Sequence, residues 1–283
     1  MKRFPVLTVI IAAALIAAAF LFLERFKITE KPEPREEGRK ESTAPQKRIS
    51  PVPPEKKPYR QVAIIIDDIG FDLRALKKLA EIPAPIAFAV LPHTPHAAEA
   101  AEFLHKGKRE ILLHLPMEPL SYPKQSPGAG ALLADMNEAQ ILRQLSENFA
   151  AVPHASGVNN HMGSRFMEDA LRLKTVMEEL KKRGLYFVDS RTSPHSQGRE
   201  AAAEAGIRFA ARDIFIDHEN GYESTLETLR QAAARKTKDD GKPLLLIGHP
   251  HADTIRAIED VLPLWEKEGI QIVELSRCLG NLK

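Results

Sequence analysis

A chain of 283 residues with 43% apolar content can bury a full core. A net charge of +2, spread over 40 basic and 38 acidic side chains, implies neither nucleic acid nor an anionic surface as a partner. The single cysteine, Cys278, excludes an internal disulfide and any cysteine-based zinc site, so an oxidising compartment is tolerated without being demanded.

The chain opens with "MKRFPVLTVIIAAALIAAAFLFLERFK". Lys2 and Arg3 precede an uncharged apolar run from Phe4 to Leu23, and about 20 such residues span a bilayer as a helix. Cleaved signal peptides end in small residues, whereas this run exits through "FLFLERF". Residues 1–27 are therefore expected to form a signal anchor in the inner membrane of a bacterial cell envelope, with the remainder in the periplasm or outside the cytoplasm. Cleavage would instead give a secreted protein. Residues 28–60, rich in Pro, Lys and Glu, carry too little apolar surface to fold and are expected to be a disordered tether.

From Gln61 to Lys283 short apolar runs alternate with amphipathic segments. "VAIII", "IAFAV", "EILLHL", "GVNNHM", "LYFVD", "RFAARDIFI", "PLLLIG" and "IQIVEL" have the length and flanking turn residues of strands. Between them, "FDLRALKKLAEI" sets Leu73, Leu76 and Leu79 on one helical stripe, with Asp72 placed to cap it. "NEAQILRQLSENF" does the same with Ile141, Leu145 and Phe149, and "EDALRLKTVMEELKKRG" ends in basic residues and a glycine, as a helix should. Repeated strand and helix units imply an α/β fold with mainly parallel strands and right-handed crossovers. Seven or eight units suit an irregular or open (β/α) barrel.

Such barrels place their chemistry at the C-terminal ends of the strands, and that is where the polar residues of this chain fall. Asp67 and Asp68 end the first run, His93 follows the second, His114 ends the third and His161 the fourth. Asp189 ends the fifth, Asp217 follows the sixth and His249 closes the seventh. Two adjacent carboxylates after a run of isoleucines repel one another unless something stabilises them, and a bound cation is the simplest candidate. Imidazole from His114 and carboxylate are common zinc ligands. Glu118 is either a further ligand or a loop acid. In "GVNNHMGSRF", His161, Asn160 and Arg165 crowd polar groups that need partners, which points to ligand or substrate contact. "DSRTSPHS" supplies Asp189, Ser190 and Arg191, suited to sugar hydroxyls, to orienting a ligand histidine, or to holding their own loop. In "IGHPH" the extended backbone around Pro250 lets one histidine face the centre, expected to be His249, with His251 at the periphery. His93 could also reach the mouth.

In order along Val62 to Leu275, "IIIDDIG", "LLHLPMEP", "GVNNHMGSRF", "YFVDSRTSP" and "LLIGHPH" resemble the divergent polysaccharide deacetylase family, distant relatives of the NodB-homology carbohydrate deacetylases. The resemblance implies a NodB-like barrel, one divalent metal with zinc most favoured, and hydrolysis of acetyl groups on a polysaccharide or peptidoglycan fragment. It assigns Asp67 as catalytic base, Asp68 as metal ligand and His249 as the proton donor to the leaving group. The relatives carry two metal histidines four residues apart. Here His114 is followed at that spacing by Glu118, so one ligand is changed or has moved, with His161 as the candidate. A carbohydrate-binding protein that kept the fold and lost the reaction is the alternative.

Overall fold

The computed structural model describes residues 60–235 and 241–281; the apolar run and the tether up to residue 59 lie outside the described residues, while Arg60, expected at the tether's end, already belongs to the first strand. Among the described residues no helix is long and apolar enough to cross a membrane. The strands are β1 (Arg60–Ile69), β2 (Ala87–Val90), β3 (Ile111–Met117), β4 (Gly157–Met162), β5 (Tyr186–Asp189), β6 (Arg208–Ala211), β7 (Ile214–Phe215), β8 (Leu244–Gly248), β9 (Ile270–Ile272) and β10 (Gly280–Asn281). The helices are α1 (Leu73–Glu81), α2 (Ala97–Lys106), α3 (Glu138–Ala151), α4 (Ala170–Arg183), α5 (Gly198–Ala205), α6 (Tyr222–Ala234) and α7 (Ala252–Lys267).

One sheet runs in the order β10, β6, β5, β4, β3, β2, β1, β8, β7, with β9 beside the start of β1. Every pairing is parallel except that of β10 with β6. The run "RFAARDIFI", expected as one strand, is two. Arg212 and Asp213 break it, and β6 and β7 then sit toward opposite ends of the hydrogen-bonded path. Two residues span only about 7 Å. The ends of the sheet are therefore drawn together, and the sheet curls into an irregular barrel that β6 and β7 close without pairing. The connection is itself fastened on both sides. Arg212 N–H donates to Asp189 O on β5, and Asp213 N–H donates to Leu245 O on β8 at 2.8 Å.

Alternation along the strands divides the core in two. Ile64, Ile66, Phe88, Leu113, Leu115, Val158, Phe187 and Leu246 face the helices in the larger cluster. Ala63, Ile65, Ala87, Ala89, Leu112, Val188, Ala210, Leu245 and Ile247 form the smaller, inner one. The small inner alanines suit a narrow barrel. Each wholly buried Leu or Ile stabilises the fold by roughly 2 kcal/mol, so a slip of one residue in any strand would be heavily penalised.

The helices start and stop as the sequence dictates. Asp72 accepts from Arg74 N–H at 2.8 Å to cap α1, whose Leu76 and Leu79 are buried. Asn137 and Gln140 form a reciprocal capping box on α3, and Gly184 ends α4 in the left-handed conformation (φ 72°) that favours glycine.

Candidate metal centre

Counting in twos from the inner core residues leads directly to the mouth of the barrel. Ala63 and Ile65 are followed on the same face by Asp67, Leu112 by His114, Ile247 by His249, and Val188 by Ser190. On β4, Val158 faces the helices, which turns Asn159 and His161 inward. Asp68 has the wrong parity to join them. It does so because the pairing of β1 with β2 slips between Ile66 and Ile69 and Asp68 adopts φ 57°, a left-handed conformation that aspartate tolerates better than most residues. The bulge turns two neighbouring carboxylates toward one place.

At that place Asp68, His114 and His161 offer ligand atoms within 4.8 Å of one another. His114 Nε2 lies 3.2 Å from Asp68 Oδ1 and 3.2 Å from His161 Nδ1, and His161 Nδ1 lies 3.1 Å from the same Asp68 oxygen. Asp68 Oδ1 is buried and has no hydrogen bond. A buried carboxylate oxygen without a donor, facing two imidazole nitrogens, is what a divalent cation would satisfy. The tautomer of His114 agrees. Its Nδ1 is 2.9 Å from Asn159 Oδ1, an acceptor, while Asn159 Nδ2 donates to Asp67 Oδ1 at 2.8 Å. Asn159 thus puts the His114 proton on Nδ1 and leaves the Nε2 lone pair facing Asp68 and His161.

The charges are strongly coupled. Burial pushes the Asp67 carboxyl above its ordinary range, against the opposing pull of His114 and His249. Burial would raise Asp68 as well, but the close imidazoles of His114 and His161 outweigh it and hold that carboxyl well below the usual range. Burial lowers His114, yet the charge of Asp67 and the contact with Asp68 prevail and push it up to about 9.

Across the mouth, His249 Nε2 is 3.8 Å from Asp68 Oδ2. Its other nitrogen, Nδ1, is 3.1 Å from Asp217 Oδ1, while Asp217 Oδ2 accepts from His249 N–H at 2.6 Å and Thr254 Oγ1–H at 2.9 Å. Although burial disfavours charge on both partners, their mutual interaction raises His249 and lowers Asp217. Gly248 makes room for this pair, since a Cβ there would come within 2.5 Å of Ile216 and 3.3 Å of Asp217 Oδ2.

The remaining expected residues lie around this centre. Glu118 does not join it. Its Oε1 accepts from Arg165 Nη1 at 2.7 Å and its Oε2 from Ala134 N–H at 2.6 Å, so it holds the loop after β3 in place. Asn160 faces away from Asn159 and ties β4 to the next loop by accepting from Ser190 N–H at 2.9 Å. Asp189, with outward parity, does not face the mouth as its strand-end position suggested; it accepts from Arg191 N–H and Ser196 Oγ–H. Ser190 Oγ lies 3.4 Å from Asn159 Nδ2, and Arg191 is exposed. His93 is bound to Asn148 on α3 and lines a cleft of about 480 Å³ that also includes Asp68, Phe71, Pro116 and His161. Asn159 and Asp217 are the residues whose importance sequence reasoning underrated. Strand parity could have found Asn159, but nothing in the sequence pairs Asp217 with a histidine 32 positions away.

The description "divergent polysaccharide deacetylase" belongs to the family model that matches residues 64–279. The uncharacterized protein YibQ of Escherichia coli is 34% identical over 202 residues, which cover 71% of this chain and 62% of that one, less than two thirds of its length. The crystal structure of an uncharacterized Agrobacterium tumefaciens protein is 25% identical, covers 77% of this chain and 88% of that one, and superposes with a TM-score of 0.72. A CE4 family pseudoenzyme from Bacillus anthracis shares the fold, with a TM-score of 0.50 and 10% identity over 78% of this chain and 66% of its own. With the ordered motifs on one barrel mouth and the match spanning nearly all of the described domain, the chain belongs to the divergent polysaccharide deacetylase family.

Proposed function

We propose that the chain is a metal-dependent hydrolase that removes acetyl groups from a cell-envelope carbohydrate, an acetylated polysaccharide or peptidoglycan fragment. The observation that carries this reading is the buried, unsatisfied Asp68 Oδ1 facing His114 and His161, with Asp67 on one side and the Asp217–His249 pair on the other. Asp68, His114 and His161 would hold the cation, and two nitrogens with one oxygen favour zinc over harder ions. When bound, such a cation supplies positive charge to the acyl oxygen and eases deprotonation of water.

The chain's own groups supply the rest. Asn159 fixes Asp67 through Oδ1 and leaves Oδ2, 3.6 Å from His114 Nε2, directed at the centre. Burial makes Asp67 a better base than an exposed aspartate, suited to take the proton of the attacking water. His249, kept protonated more readily by Asp217, gives a proton from Nε2 to the departing nitrogen or oxygen. The C–N or C–O bond to the acetyl group breaks, yielding acetate and a free amine or alcohol. Phe71, 63% exposed beside Asp68 in the cleft, offers an apolar face for a sugar ring.

The purified protein is expected to hold about one transition metal per chain at this centre and to release acetate from chitooligosaccharides, acetylated xylan or peptidoglycan fragments. Asp67→Asn should keep the metal and lose roughly 10²-fold or more in turnover. Metal without acetate release from any of these, under zinc, cobalt or manganese, would favour a carbohydrate-binding role; the Bacillus anthracis pseudoenzyme shows that the fold can persist without the reaction. Retention here of a base, a proton donor and its orienting acid supports catalysis. The run from Phe4 to Leu23 would hold the domain outside the cytoplasm, and a reporter fused after Lys283 that works only there should be active; an inactive one overturns the placement.

A further inference from the structure

A second group of possible ligands is present at the same end of the barrel. Asp217 after β7, His249 after β8 and His251 at the start of α7 offer ligand atoms within 4.8 Å of one another. The carboxylate is already oriented. His249 N–H and Thr254 Oγ1–H both donate to Asp217 Oδ2, so Oδ1 is the oxygen turned to the His249 ring. His251 is exposed, its ring 5.7 Å from that of His249, and its side chain makes no capping hydrogen bond to α7. An oriented carboxylate, a half-buried imidazole and an exposed imidazole provide donors of the type zinc prefers, with an open approach from solvent.

We propose that Asp217, His249 and His251 form a second cation site, distinct from the Asp68, His114 and His161 group, whose filling by excess zinc inhibits the enzyme. The inhibitory part rests on the proposed role of His249 as proton donor; the site itself does not. A cation on His249 Nδ1 takes the place of the proton shared with Asp217. The ring would then hold only its Nε2 proton, whose loss would leave an imidazolate instead of a neutral imidazole, so it would be a far weaker acid toward the leaving group than the imidazolium that Asp217 supports. The second site is expected to be the weaker of the two, because its exposed ligand must be ordered and the Asp217–His249 hydrogen bond surrendered.

The test uses the full chain stripped of metal and titrated with zinc alone, binding being followed by equilibrium dialysis and, with cobalt, by visible absorption. The wild-type protein should take up two equivalents, the second at least about tenfold more weakly. His251→Ala should lose only the weaker equivalent, and His161→Ala only the tighter one. Acetate release by the wild type should fall as the second equivalent binds, while His251→Ala remains as active as the wild type at one equivalent and resists excess zinc. Saturation of the wild type at one equivalent overturns the proposal. So does a second equivalent that survives in His251→Ala but disappears in His154→Ala, which would place it at the stacked His105 and His154 rings. If no acetate is released under any condition, the proposed activity and its inhibition both fall, and the stoichiometry alone still decides the site.

Discussion

At the scale of single residues, two aspartates near one another carry different duties because their surroundings differ. Asp67 is buried, which keeps its proton affinity high despite the amide that Asn159 donates to it; Asp68 faces two imidazoles, which keeps its proton affinity low. Asp217 extends the same logic to His249. Asp217→Asn should retain metal at Asp68, His114 and His161 and slow turnover by roughly 10- to 100-fold. Since Asp217 raises His249, its loss should also lower the pKa of the proton donor, so that activity disappears at a lower pH on the alkaline side. Turnover plotted against pH for both proteins checks this, and an unshifted alkaline limb would show that Asp217 acts only through packing.

At the scale of elements, strand alternation and one bulge build the centre. The spacing of His114 and Glu118 fits the second motif of active relatives, yet β3 ends at Met117, and the chain beyond it sends Glu118 to Arg165 and Ala134. His161 reaches the vacant direction from β4, whose Pro116–His161 register lies beside the end of β3. Glu118→Ala should therefore keep the metal and cost about 1–3 kcal/mol of stability, chiefly by leaving the half-buried Ala134 amide without its acceptor. His161→Ala should lose the metal at little cost in metal-free stability. Metal analysis beside denaturant melts distinguishes them, and the reverse pattern would restore Glu118 as the ligand.

At the scale of the molecule, curling the sheet brings like charges and imidazoles from distant strands into one buried group, so stability depends on pH in a definite direction. Without metal, His114 is raised from 6.5 to about 9, and its contribution is complete below pH 6.5 and lost as pH climbs through 9. Asp67, also raised, acts in the same sense: its contribution is present below 3.8 and lost as pH rises through its elevated folded value. Asp68 and Asp217 are lowered, so theirs is present above 3.8 and lost as pH falls through their depressed folded values. With chelator present, the melting temperature should fall by about 4 °C or more between pH 6.5 and 9. With zinc present the trend should weaken or reverse, because ligation requires deprotonated imidazole. Equal slopes in the two titrations would mean that His114 is not a ligand.

Much of this was legible in the chain itself, since strands, helices and caps are written in local periodicity and in turn and capping residues such as Asp72, Asn137 and Gly184. Strand ends rich in Asp and His marked the mouth, and parity along "GVNNHM" already separates Asn159 and His161 from Asn160. The tertiary structure alone decided the rest. It split "RFAARDIFI" between opposite ends of the sheet, gave Asp68 its inward turn at a register slip, removed Glu118 to a loop, and set Asp217 against His249. Periodicity reports which face of its own strand a residue occupies. Which residue of another strand meets it there depends on register and curl, and those are set by the packing of the whole barrel.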